Sequence, residues 1–149
     1  MTAIENMLTR RSVRAYKSDM VPKEIIEKIV EAGTYAVTGM NRQSPIIIAV
    51  TNKELRDRLS AMNARIMGTD TDPFYGAPVV LIVLADKSMP TYLYDGSLVM
   101  GILCLPLTLM VLTAVGFIVQ RKNLKQLREK KFSLHLVLQG ITRVSVTAF

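Results

Sequence analysis

Three arginines and a serine fall within five positions of the stretch "RRSVR", as Arg10, Arg11, Ser12 and Arg14. Guanidinium groups are planar and permanently charged, can grip a phosphate through paired hydrogen bonds, and gain a short donor from a neighbouring hydroxyl. The cluster suits a phosphate-bearing ligand. It suits a solvated basic turn as well, and its spacing alone does not choose. Further on, "MNRQSP" places Asn41 and Gln43 just before an apolar run. Their amides offer both donors and acceptors, which can read the edge of a flat heterocycle, although such residues are also ordinary in loops.

Other candidates carry less. Asp70 and Asp72 have no nearby His or further carboxylate to complete a metal site, so they read as turn residues. Phe74 and Tyr75 read as packing residues. His135 is the only histidine and Cys104 the only thiol; both lie in the last third of the chain, and a Cys–His pair would need an orienting partner and a suitable fold context for nucleophilic catalysis. No catalytic side chain and no metal site is expected.

Layered α and β structure positions these residues. A short helix spans residues 2–9. "VPKEIIEKIVEAGTYA" forms a second, with Pro22 in its first turn and Ile25, Ile26, Ile29 and Val30 as one apolar stripe. "VTGMNRQSP" is a polar loop, and "PIIIAVT" a buried strand. Thr51 and Glu54 have capping-box spacing before a helix whose Leu55, Leu59, Met62 and Ile66 share a face. "GTDTDPFYGAP" is a loop, "VVLIVLA" a second buried strand, and Asp95 caps the helix that follows. This order predicts layered α and β structure.

Charge divides the 149-residue chain. Up to Gly101 there are 12 Lys and Arg against 11 Asp and Glu, a net of +1; beyond it there are 7 against 1, a net of +6. The overall charge of +7 therefore says nothing of nucleic acid for the first two thirds, which are nearly neutral. A single Cys excludes an internal disulfide framework and points to a reducing compartment. "MTAIENMLTRRSVRAYKSD" lacks the apolar stretch of a secretory signal. Hydropathy alone offers a different reading of the carboxyl end. Residues 98–119 are uncharged, long enough to cross a bilayer, and followed by Arg121, Lys122 and Lys125, as in a single-span membrane protein with a basic cytoplasmic tail.

Taken in order, "RRSVRAYKSDMVPKEIIEKIVEAGTYAVTGMNRQSPIIIAVTNKEL" and "DPFYGAPVVLIVLADKS…YDGSLVMG" resemble the nitroreductase family over about residues 4–101. The resemblance implies an α+β three-layer sandwich with a central mixed sheet, in a cytoplasmic homodimer that carries FMN at the subunit interface. It implies that Arg10, Arg11, Ser12 and Arg14 hold the FMN phosphate and ribityl chain. Thr38, Asn41 and Gln43 then lie along the flavin, with Val37 and Thr38 replacing the commoner Pro-Ser. It also implies hydride transfer from NAD(P)H through the flavin to a nitroaromatic, quinone or similar small acceptor, with Arg14 helping to stabilise negative charge on the ring. The cofactor carries that chemistry. Neither nucleic acid nor membrane is an expected partner.

The likeness stops at Gly101, where residues 102–149 depart from the family pattern. Adding one base after the Gly101 codon permits the reading "GNLMLAAHSYGLDSCWIHRAKEEFE", which follows that pattern, and "ITRVSVTAF" permits "YEGVGHCI". Residues 1–101 thus read as the amino-terminal part of a flavin-binding domain, and residues 102–149 as a frameshift product. Acidic GAA-rich codons read one base off become Lys codons, which accounts for the basic run. Weak or absent activity of the chain as written is the corresponding expectation.

Overall fold

The computed structural model describes residues 2–109 and 115–121. Helix α1 (Ala3–Thr9) begins at a reciprocal cap: the Glu5 N–H donates to the Thr2 hydroxyl at 3.2 Å, and the Thr2 N–H donates to the Glu5 carboxylate at 2.7 Å. Helix α2 (Lys23–Thr34) buries Ile26, Ile29 and Val30 and half-buries Ile25, the stripe expected from the 3.6-residue period. Pro22 stands one place earlier than expected, at the N-cap, where its carbonyl accepts from the N–H groups of Ile25 and Ile26.

Strands β1 (Ile46–Val50) and β2 (Val80–Asp86) run antiparallel with Ile48 opposite Ile82. Strand β3 (Val115–Arg121) pairs parallel to β2, with Val80 opposite Val115, so the sheet order is β1-β2-β3 and the sheet is mixed. Period-two alternation divides the strand side chains. Ile47, Ala49, Leu81 and Val83 join α2 and the long helix α4 (Tyr92–Leu109) through Ile29, Val30, Val99 and Leu103. Ile48, Val50, Val80 and Ile82 point the other way and meet Leu55 of α3 (Lys53–Met67) together with Phe74. Helices on one face, sheet, and helix plus loop on the other make the three layers. Two covered faces explain why β1 and β2 are continuous apolar runs.

Gly33, buried near the end of α2, lets that helix approach α4 closely. A Cβ there would lie 2.6 Å from Leu103 Cδ2 and 2.8 Å from Ile47 Cδ1. Gly33→Ala is expected to destabilise the chain by about 1–3 kcal/mol through overpacking, read from urea unfolding midpoints.

Several local expectations need correction. The cap of α3 is Asn52, whose Oδ1 accepts from the Leu55 N–H at 2.8 Å, in place of a Thr51–Glu54 box. The inward face of α3 carries Leu55, Arg56, Ser60 and Ala64, while Leu59 is half-buried and Met62 is 50% exposed. The side chain of Ile66 lies outside the described residues. Arg56 and Ser60 turn inward because both bind Asp72, and this polar demand rotates the helix away from its most apolar stripe. Asp95 is not a cap: α4 begins at Tyr92 and continues across Gly101 and Pro106.

No single helix covers residues 98–119. Helix α4 ends at Leu109, and residues 115–121 are paired in the sheet. Among the described residues, no helix is long and apolar enough to cross a membrane. The basic run after Arg121, His135 and the carboxyl end "ITRVSVTAF" lie outside the described residues.

Candidate functional site

The arginine cluster occupies an extended segment that leaves α1 at Arg10 (φ −51, ψ 135). The segment is tied to the fold by Asn6, 2% exposed, whose side-chain amide donates to the Leu105 carbonyl of α4 at 2.9 Å. Arg11 turns back on the helix end, donating to the carbonyls of Leu8 at 3.1 Å and Arg10 at 2.9 Å. That position suits a cation, since unpaired carbonyls and the helix dipole both favour positive charge there. Arg10, Ser12 and Arg14 are exposed. None of the three arginines has an ion pair among the described residues.

Tyr16, half-buried, closes this segment on itself. Its hydroxyl donates to the Val13 carbonyl at 3.0 Å. Burial pushes its phenol up, nearby Tyr75 and Cys104 push it further, and Arg14 opposes them. These influences come from the arginine segment itself, from the loop carrying Tyr75 and from α4.

Loop 38–43 is built differently. The Gln43 N–H donates to the Thr38 hydroxyl at 3.0 Å, and the Gln43 side-chain amide donates to Asn41 Oδ1 at 3.1 Å, so all three expected residues belong to one hydrogen-bonded turn. Met40, Asn41 and Gln43 hold φ values of 52, 52 and 46. The Ser44 hydroxyl, next in sequence, is buried without a partner among the described residues. Asn41 is exposed, and Thr38 and Gln43 are half-buried.

Sequence reading missed what holds that loop. Asp95, 2% exposed in the first turn of α4, accepts from the Gly39 N–H at 2.9 Å and from the Thr91 hydroxyl at 2.9 Å. An acidic residue near a helix start was the available signal, and it was read as an ordinary cap. No hydrogen bond joins the arginine group to loop 38–43 among the described residues. Their anchors on α4, Leu105 and Asp95, are ten residues apart, about 15 Å along an α-helix.

The loop between α3 and β2 is organised around Asp72. Its carboxylate accepts from the Arg56 guanidinium, the Ser60 hydroxyl, and the N–H groups of Phe74 at 2.9 Å and Gly76 at 2.7 Å. Burial alone would raise the carboxyl, but Ser60, Arg56 and the two backbone donors outweigh it and hold Asp72 well below the usual carboxylate range. This turn role matches the reading of Asp72, and Phe74, 3% exposed, packs as expected. Tyr75, 46% exposed at φ 54, does not. No cluster of potential metal ligands occurs among the described residues.

The donor set fits a flavin nucleotide: guanidinium groups free of ion pairs among the described residues and a hydroxyl for a phosphate, and one exposed and one half-buried amide beside the Ser44 hydroxyl for a ring. The architecture itself is that of the nitroreductases. Residues 7–71 match the model of the nitroreductase family. A protein of Methanothermobacter thermautotrophicus named "Putative NADH dehydrogenase/NAD(P)H nitroreductase" is 30% identical over 94 residues, covering 60% of this chain and 44% of that protein. This chain thus spans less than half the length of that relative. A nitroreductase with bound FMN from Desulfitobacterium hafniense aligns over 72% of this chain and 65% of its own, with a TM-score of 0.65 and 29% identity. Another with bound FMN, from Bacteroides fragilis, gives a TM-score of 0.63 at 29% identity over the same shares.

Proposed function

We propose that the amino-terminal part of this chain is a flavin site of an FMN-dependent NAD(P)H oxidoreductase acting on nitroaromatics, quinones or similar acceptors. The observation that carries this reading is the exposed arginine group, free of ion pairs among the described residues, within the segment that matches the family. Arg10, Arg11, Ser12 and Arg14 hold the phosphate and ribityl chain, and Arg11 also fixes the direction in which the segment leaves α1. Thr38, Asn41 and Gln43 present amides and a hydroxyl to the ring. When bound, FMN supplies hydride acceptance from NAD(P)H and delivery to the acceptor. Arg14 places positive charge beside the site, and Tyr75 and Tyr16 border it.

The reading includes a cytoplasmic homodimer. An apolar stripe on α1, with Ile4 69%, Met7 57% and Leu8 72% exposed, supports a second copy as its cover. A cofactor at such an interface can draw the arginine group from one chain and the amide loop from its partner, which accommodates their separation along α4. The reading also holds that residues 102–149 are out-of-register text and that the chain as written has weak or absent activity.

The test compares this chain with one in which a single base after the Gly101 codon restores the family-like frame. The restored chain is expected to keep stoichiometric FMN through desalting, seen by its visible absorbance, whereas the chain as written loses most of it. Full retention of FMN by the chain as written would refute the defect. Failure of both chains to bind FMN would refute the flavin reading.

A further inference from the structure

Left-handed backbone angles at Met40, Asn41 and Gln43 require a cause. Each non-glycine residue there carries a steric penalty, least for Asn, and such angles persist only where the surroundings over-determine them. Those surroundings are visible one residue upstream. A Cβ at Gly39 would lie 2.3 Å from Thr91 Oγ1 and 2.9 Å from Thr91 Cβ, so only glycine allows the loop to approach α4 this closely. At that contact the Asp95 carboxylate accepts from the Gly39 N–H with one oxygen and from the Thr91 hydroxyl with the other.

A carboxylate accepts and cannot donate, and a buried one is costly unless donors surround it. Lifting the loop off α4 removes the Gly39 N–H and leaves Asp95 with one of these two donors. We propose that Asp95, Thr91 and Gly39 form a latch through which the first turn of α4 sets the loop's left-handed conformation. Asp95 and Thr91 are thereby positioning residues for Asn41 and Gln43. The role toward a ring rests on the flavin reading above, while the latch is a property of the chain with or without a ligand.

The experiment measures amide hydrogen exchange on the full chain as written and on the restored-frame chain, and FMN titration on the latter, comparing the unaltered protein with Thr91→Val, Asp95→Asn and Asp95→Ala. Thr91→Val removes one donor and keeps the shape. Exchange across residues 39–43 is expected to rise about tenfold, and FMN binding to weaken about tenfold. Exchange in β1 and β2 should stay unchanged, which a merely structural defect would not allow. Asp95→Asn keeps both hydrogen bonds, its amide now donating to the Thr91 hydroxyl, and should restore protection. If Asp95→Ala does not fold, Thr91→Val carries the test. Unchanged loop exchange in Thr91→Val, or a rise shared equally by β1 and β2, overturns the latch. A loosened loop in a restored-frame chain that never binds FMN supports the latch and sinks the flavin reading. FMN binding with no loosening does the reverse.

Discussion

Asp72→Ala is expected to lower the stability of the chain by about 3 kcal/mol, because it strips a buried guanidinium of its main partner. The Arg56 side chain is only 10% exposed. It would keep the Ala77 carbonyl at 2.9 Å and Asp57 at 3.1 Å, together with its stacking over Phe74 at 5.4 Å, and these limit the loss. The same substitution frees the Ser60 hydroxyl and the N–H groups of Phe74 and Gly76. Four donors therefore depend on one carboxylate. The dependence on pH follows from the lowered folded value. A depressed carboxyl contributes stability that is fully present above its ordinary value of 3.8 and is lost as pH falls through the folded value. Urea unfolding midpoints of the unaltered chain should thus decline below about pH 4, and those of Asp72→Ala should decline less. A variant within about 0.5 kcal/mol of the unaltered chain would show that the network is idle.

Arg10→Ala combined with Arg14→Ala is expected to weaken FMN binding by about a hundredfold or more, each guanidinium–phosphate contact contributing roughly 1.5–3 kcal/mol. Riboflavin, which has the same ring without the phosphate, supplies the control. Its affinity should change little, so the ratio of FMN to riboflavin affinity should collapse. Both side chains are exposed, and neither makes an ion pair among the described residues, so the double variant should unfold at nearly the unaltered midpoint. Equal losses for FMN and riboflavin would mean that these arginines shape the segment and do not hold phosphate. Flavin fluorescence titration on the restored-frame chain, run beside the chain as written, reads both ligands.

How much of this was legible beforehand depends on the kind of interaction. The α2 stripe, the two buried strands and the α1 helix follow from local periodicity and local caps, which a sequence displays directly. The face of α3 did not follow. Its most apolar stripe includes Met62, yet Arg56 and Ser60 turn inward, because Asp72, twelve residues beyond Ser60, demands donors. Asp95 was misread for the same reason: its partner Gly39 lies 56 residues away. Strand β3 is a third case. Ladder hydrogen bonds are made by backbone, so an apolar, β-branched segment such as "VGFIV" can pair beside β2 whatever the origin of its residues.

By itself the sequence determined the order and type of most elements, the match of residues 7–71 to the nitroreductase family model, and the residue types on offer to a phosphate and a ring. Tertiary structure alone decided that the amide loop is pinned to α4 through a buried carboxylate, that the arginine segment is docked on the same helix through Asn6, and that the two groups stand apart along it. The physical reason is range. Periodicity and caps act over a few neighbouring residues, whereas the satisfaction of buried polar groups depends on whatever distant chain the packing brings within hydrogen-bonding reach.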